Sequence, residues 1–196
     1  MTKAPVRRRT PSEQVSAALL NAAETVLDRE GAGGVTVRAV AAEAAVAPMS
    51  VYNRFDNKDG LLAALAMRGL DELADLIDVP VELDAVPRFR AACLAYRQFA
   101  LEHPARYMLI FTAGSPLSDQ TSAPAVRGRA VFDVLVALVA DVMGSAEEGA
   151  ITESAQAVWS TIHGAVTIEQ IGIGQTPDPD TTFSHTLDLL IAGLRA

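Results

Sequence analysis

The stretch TVRAVAAEAAVAPMSVYNRFDNKDGLLAAL, residues 36–65, decides the fold. Thr36 can cap a short helix over 37–44. After a brief turn, Pro48 suits the first position of a second short helix that ends at Phe55. Asn57 can cap a further helix, with Asp59 in its first turn where a carboxylate complements the helix dipole. Two short helices joined by a tight turn and preceded by a longer one form a helix-turn-helix unit. In such a unit the second helix enters the major groove tip first. Pro48, Met49 and Ser50 would form the tip, while Val51 and Phe55 anchor the back. Tyr52, Asn53, Arg54 and Lys58 would reach bases or phosphates. Lys58 stands just inside a helix N-terminus, where free N–H groups already favour an anion. The plainer alternatives are a packing tyrosine at Tyr52 and a solvated charge at Arg54.

Working outward, helical periodicity covers nearly the whole chain. Val15, Ala18, Leu19, Ala22, Val26 and Leu27 form an i, i+3, i+4, i+7 stripe over 12–30, with Ser12 as a cap and Gly31 as a stop. The fourth helix runs from Asn57 to about Asp78. Residues 79–87, with Pro80 and Pro87, read as a linker. A fifth helix carries Phe89, Ala92, Cys93, Tyr96, Phe99 and Ala100 to His103, and Pro104 starts a short helix through Phe111. Residues 114–124 have loop composition. Residues 125–143 are apolar nearly all round beyond Val131, which predicts a buried helix. Helices over 151–173 and 181–195 complete the chain, separated by a turn at 175–180. No period-2 strand and no internal repeat is found. The expected fold class is all-α.

The chain has 196 residues, half of them apolar, enough to build a core. Its one cysteine, Cys93, can form neither an internal disulfide nor a cysteine-rich metal site. No apolar run reaches the length of a membrane span and no signal peptide is visible, so a cytoplasmic protein is expected. The net charge of −8 is unevenly spread: residues 1–60 hold eight basic and seven acidic groups, and the remainder eight against seventeen. A near-neutral front with a basic tip on an acidic body hints at nucleic-acid contact in the front.

The stretch 36–65 resembles the DNA-binding region of the tetracycline-repressor (TetR) family of bacterial regulators. The likeness rests on Thr36, Val40-Ala41, Val46, Val51-Tyr52, Phe55, Lys58 and Leu61-Leu62, and extends over about residues 12–66. It implies about nine helices: a DNA-binding domain over 1–60, with 1–11 as a basic arm, and an effector-binding and dimerisation domain over 61–196. It further implies that Thr36, Arg38, Tyr52 and Lys58 contact phosphates and that Pro48, Met49, Ser50 and Asn53 face bases. On chemical grounds Asn53 can pair with adenine and Arg54 with guanine, with Pro48 and Met49 touching thymine methyls. Arg7, Arg8 and Arg9 can enter the minor groove or simply solubilise the arm. Two positions depart from the pattern. Ala45 stands where the turn usually has glycine, and Gly60 where glutamate is common, which weakens the cap of the fourth helix.

LEHPARYMLIF and VWSTIHGAVTIEQIG resemble a subgroup with a Trp-x-x-x-His-Gly signature, here Trp159, His163 and Gly164. Trp159 and His163 are i, i+4 neighbours on one helix face, with Gln170 near it. Tyr96, Phe99, His103, Tyr107, Met108 and Phe111 supply aromatic, imidazole and sulfur groups on preceding helices. These nine residues are the candidate lining of a pocket for a small, mostly apolar effector; the alternative is an ordinary core. On 151–173, Val158, Ile162 and Val166 share one face while Ala157, Ile168 and Ile171 lie elsewhere. A helix apolar on several faces suits a four-helix interface between two copies. The expected partners are therefore palindromic double-stranded DNA, an effector and a second copy, with no cofactor, metal or membrane. An enzyme using Cys93, His103 and His163 is the weaker rival, since no nucleophile elbow or metal motif accompanies them. A constitutive DNA-binding regulator with no effector stays open.

Overall fold

The computed structural model describes residues 12–80, 83–144 and 146–196. The arm with Arg7, Arg8 and Arg9 lies outside the described residues, as does the side chain of Ser12. The described residues form nine helices and no strand: α1 (Ser12–Gly34), α2 (Val37–Glu43), α3 (Pro48–Phe55), α4 (Lys58–Ile77), α5 (Ala85–Glu102), α6 (Pro104–Phe111), α7 (Ala123–Met143), α8 (Glu148–Gln170) and α9 (Pro179–Leu194). The chain divides into two compact units, one up to Leu65 and one from Ala66, with α4 running from the first into the second.

In the first unit, α1 packs on α2 and α2 on α3. Leu19, Ala23, Val26, Leu27, Val35, Val40, Ala41, Val51 and Leu61 are buried among them. Gly31, at φ 69°, interrupts α1, which resumes for one short turn to Gly34. Thr36 caps α2 through its hydroxyl, which accepts from Ala39 N–H at 3.1 Å. The turn after α2 is a Schellman motif: Val46 N–H donates to the Ala41 carbonyl at 2.9 Å and Ala45 N–H to Ala42 at 3.1 Å. That motif places Ala45 in the left-handed region, φ 52°, the conformation that favours the glycine expected there.

The junction between α3 and α4 is tighter. Asp56 has φ 61° and ψ −49°, and Asn57 N–H donates to the Phe55 carbonyl at 2.6 Å, a γ-turn of the strained hand. A Cβ on Gly60 would lie 2.1 Å from that carbonyl oxygen. This corrects the reading of Gly60 as a weakened cap. The cap is made by Asn57, whose side-chain oxygen accepts from Gly60 N–H at 2.9 Å, and glycine is required because the Phe55 carbonyl fills the space.

In the second unit, α5 is the central element, packed against α6, α7, α8 and α9. Its buried face carries Phe89, Ala92, Cys93, Tyr96, Phe99 and Ala100. Pro87, expected in a linker, sits in the first turn of α5, where a missing N–H costs nothing. Likewise Pro124 lies in the first turn of α7, not in the loop before it. His103 has φ −126° and ψ 56°, away from the helical region as a residue before proline requires, and so breaks α5 from α6. Helix α8 ends at Gln170, earlier than expected, because Gly172 at φ 70° completes another Schellman motif, with Ile173 N–H donating to Ile168 at 3.3 Å. Arg97 joins three helices: it pairs with Glu169 of α8 at 2.6 and 2.7 Å, with Asp180 of α9 at 2.6 Å, and lies over the Phe183 ring.

One expectation about α7 fails. The helix is buried on one side only, through Val131, Leu138, Val139 and Val142; Val134, Leu135 and Val136 are half-buried and Ala137 is exposed. Part of its apolar surface, through Val131, Phe132, Leu135 and Leu138, lines a cavity. No helix among the described residues is long and apolar enough to cross a membrane.

Candidate DNA-binding face and ligand cavity

Helix α3 owes its orientation to Val51, which is fully buried, with Phe55 half-buried behind it. Full burial of a valine is worth roughly 2 kcal/mol, enough to fix the rotation of an eight-residue helix. With that face pinned, Pro48, Met49, Tyr52, Asn53 and Arg54 all stand exposed, and Ser50 is half-buried. Tyr52 is 47% exposed, which argues against a packing tyrosine. Thr36 and Arg38, at the start of α2, are also exposed. The Lys58 ammonium donates to the Gly33 carbonyl at 3.2 Å, at the end of α1. That contact uses one of its three protons and holds it beside the N-terminus of α4.

The second unit contains a cavity of about 770 Å³, lined from α4, α5, α6, α7 and α8. Of the nine candidate ligand residues, the structure brings Tyr96, Phe111, Trp159 and His163 to its wall. Tyr107 stands behind them, fully buried, with its hydroxyl 2.6 Å from His163 Nδ1 and 3.0 Å from the Tyr96 hydroxyl. Trp159 Nε1–H donates to the Tyr96 hydroxyl at 3.3 Å.

The other four lie off the cavity wall. Phe99 is buried against Gly69 of α4. His103 Nε2 sits 3.2 Å from Glu72, which also accepts from Arg106 at 2.8 Å. Met108 is 46% exposed on the outer face of α6. Gln170 donates to the Ala100 carbonyl at 2.8 Å, tying α8 to α5. Apolar residues missed from sequence extend the wall, among them Leu70, Leu73 and Ile77 of α4, and Phe132 and Leu135 of α7. Their helical stripes are those of core residues, and no local signal separates a side chain facing a void from one facing a neighbour.

Burial disfavours charge throughout this cluster. Desolvation raises the Tyr96 hydroxyl well above its ordinary value and Tyr107 to about 12. It lowers His163, keeping the imidazole neutral. It also pushes the Cys93 thiol up to about 12, which leaves it an inert wall group and removes it as a nucleophile. Among the described residues no cluster of His, Cys, Asp or Glu is arranged to hold a metal.

Comparison with known proteins agrees with this architecture. Residues 19–65 match the model for bacterial regulatory proteins of the tetR family, and residues 89–190 match a tetracyclin repressor-like C-terminal domain. The uncharacterized HTH-type transcriptional regulator Rv0681 of Mycobacterium tuberculosis is 27% identical over 185 residues, covering 94% of this chain and 83% of that protein. A solved protein of unknown function from Rhodococcus sp. RHA1 superposes with a TM-score of 0.79 at 25% identity, covering 99% of this chain and all of that one. A TetR variant of Acinetobacter baumannii, solved in complex with minocycline, has the same fold, with a TM-score of 0.67 at 23% identity over 96% of this chain and 99% of its own. The second of the two matched models alone spans half the sequence; the chain belongs to the tetracycline-repressor family of helix-turn-helix transcriptional regulators.

Proposed function

We propose that the protein binds a palindromic operator as a homodimer, represses transcription in the cytoplasm, and is released by a small, mostly apolar effector. The observation that carries the DNA reading is the split of α3: Val51 is fully buried while Met49, Tyr52, Asn53 and Arg54 are all exposed. Thr36, Arg38, Tyr52 and Lys58 hold phosphates; Pro48, Met49, Ser50, Asn53 and Arg54 face the groove.

The dimer is supported by the outer side of α8 and α9. There Ile168, Ile171, Ile173 and Leu189 are exposed, beside a depression floored by Gly164, Ala165 and Thr186. A two-fold axis there would set two copies of α3 on successive major grooves, about 34–36 Å apart. The effector reading is supported by the apolar cavity and its Trp159-x-x-x-His163-Gly164 wall, which suits membership of the subgroup with that signature, and by the minocycline complex of the Acinetobacter protein. Leu70, Leu73 and Ile77 place α4 on the cavity wall, and Lys58 begins the same helix. A ligand that moves α4 changes the spacing of the recognition helices, and by linkage DNA weakens ligand binding by the same factor.

Selection from a pool of random duplexes at stated salt, followed by sequencing, tests this reading. An enriched palindrome is the expected result. Salt-sensitive binding with no enrichment would refute sequence-specific recognition.

A further inference from the structure

Resting on the effector-cavity reading above, we propose that the cavity selects a neutral or anionic ligand bearing a hydrogen-bond acceptor oxygen, which takes the Nε2–H of His163. The argument begins with proton counting. Trp159 Nε1–H can only donate, so at 3.3 Å the Tyr96 oxygen accepts from it. The Tyr96 proton then goes to the Tyr107 oxygen at 3.0 Å, and the Tyr107 proton to His163 Nδ1 at 2.6 Å. The Thr167 hydroxyl, next along, already donates to the His163 carbonyl at 2.8 Å. Run in this direction, each of the three protons has an acceptor, and a bare Nδ1 has both tyrosine hydroxyls within reach, Tyr107 at 2.6 Å and Tyr96 at 3.2 Å. We assign this direction over the reverse one, in which Nδ1–H would donate to Tyr107 and Tyr107 to the Thr167 oxygen.

Because the imidazole is neutral, its one ring proton then sits on Nε2. Nε2 meets no hydrogen-bonding group among the described residues. The ring itself cannot turn freely. It stacks on Tyr107 with centroids 5.5 Å apart and planes at 27°, and Phe111 meets it edge-on at 5.5 Å. The lining is mostly apolar but also holds Ser118, Gln120, Gln156 and Ser160; among them the His163 Nε2–H is a donor whose direction ring packing fixes, and an acceptor on the ligand satisfies it. Charge selection follows from the rest of the lining, which includes Arg129 and no carboxylate. A cationic ligand would find no counter-charge there, whereas a ketone, ester or carboxylate oxygen is matched.

Two measurements on the full chain test this. Nitrogen-15 NMR of the histidine rings, with His163 identified by its loss in His163→Phe, is expected to show Nε2 protonated and Nδ1 bare. A protonated Nδ1 overturns the proposal. Calorimetric titration with 2-acetylnaphthalene, 2-naphthoate and the near-isosteric 2-ethylnaphthalene then tests recognition. The preference for the acetyl over the ethyl compound is expected to fall about tenfold in His163→Phe, and the Nε2–H resonance of the wild type to shift with whichever oxygen-bearing compound binds and not with the ethyl compound. Binding of 2-naphthoate in place of the ketone would identify a carboxylate as the oxygen's source. An unchanged preference and an unmoved resonance overturn acceptor recognition while leaving the cavity as a binding site. Failure of all three naphthalenes to bind overturns the cavity reading and this proposal with it. The NMR measurements need no variant to fold beyond the one used for identification, and His163→Gln serves that purpose equally.

Discussion

A methyl group on Gly60 would lie 2.1 Å from the Phe55 carbonyl oxygen, closer than any real carbon–oxygen contact. Gly60→Ala must therefore push α4 away from the γ-turn at Asp56. We expect a loss of about 1–3 kcal/mol, read as a lower melting temperature, together with weaker operator binding because the same turn sets the exit of α3. Ala45→Gly has the opposite sign. It relieves a left-handed alanine at the cost of a more flexible unfolded chain, for a net gain of about 0.5–1 kcal/mol. The Ala45 strain was legible in sequence, because the family pattern has glycine there. The need for Gly60 was not, because it arises from a carbonyl five residues earlier that only the folded turn brings near. At His163 the folded-state pKa is depressed by burial, so the unfolded chain binds the proton more readily. Stability contributed by the neutral ring is present above the unfolded value of about 6.5 and is lost as pH falls through it. Thermal unfolding followed from about pH 7.5 to pH 5.5 is expected to show this decline in the wild type and a smaller one in His163→Phe.

Helix α3 illustrates what local pattern can and cannot specify at the level of the element. Pro48 opens it, Phe55 closes it, and its apolar phase predicts which side is buried; the structure agrees at both ends. Helix α6 is similarly bounded by Pro104 and Phe111. Helix α7 was misread because periodicity measures how apolar a face is, not whether anything packs against it. Leu135 and Phe132 look like core in sequence and line the cavity in the fold. The exposed tip of α3 makes a direct prediction. Arg54→Ala is expected to weaken operator binding. If Arg54 reads guanine, the loss is about tenfold and specific to one position of the site; if it holds a phosphate, binding falls on all sequences and the salt slope drops by about 1. Arg97 marks the opposite case, a residue that binds elements together. Its side chain is 12% exposed between Glu169 and Asp180, and its pKa is raised mainly by the Glu169 hydrogen bonds. Arg97→Ala strands a largely shielded Glu169, and with Asp180 open to solvent the expected cost is about 2 kcal/mol in denaturant unfolding.

At the scale of the whole molecule, helical periodicity pointed to the all-α class and the resemblance over 36–65 implied a regulator, but neither the full wall of the cavity nor the share of Leu189 of α9 in the outer face was visible. Both are made by convergence of distant segments: Leu70 and His163 share a wall across more than ninety positions of sequence. The face split of α8 was legible, with Val158, Ile162 and Val166 buried and Ala157, Ile168 and Ile171 exposed. What covers the exposed side decides how the protein reads DNA. Large apolar side chains there, Ile168 at 46% and Leu189 at 63% exposure, are costly to leave in water and lie beside small residues that permit close helix approach. In the proposed dimer Ile168 meets its own helix's counterpart, so a single Ile168→Glu change introduces two carboxylates into one interface, where like charges repel and neither is paired. The folded chain keeps its core, because Ile168 lies outside it. Sedimentation is therefore expected to show a monomer with an unchanged helical spectrum, and binding to a palindromic site to fall toward that of a single half-site. A variant that stayed dimeric with full operator affinity would place the two-fold contact elsewhere on the second unit.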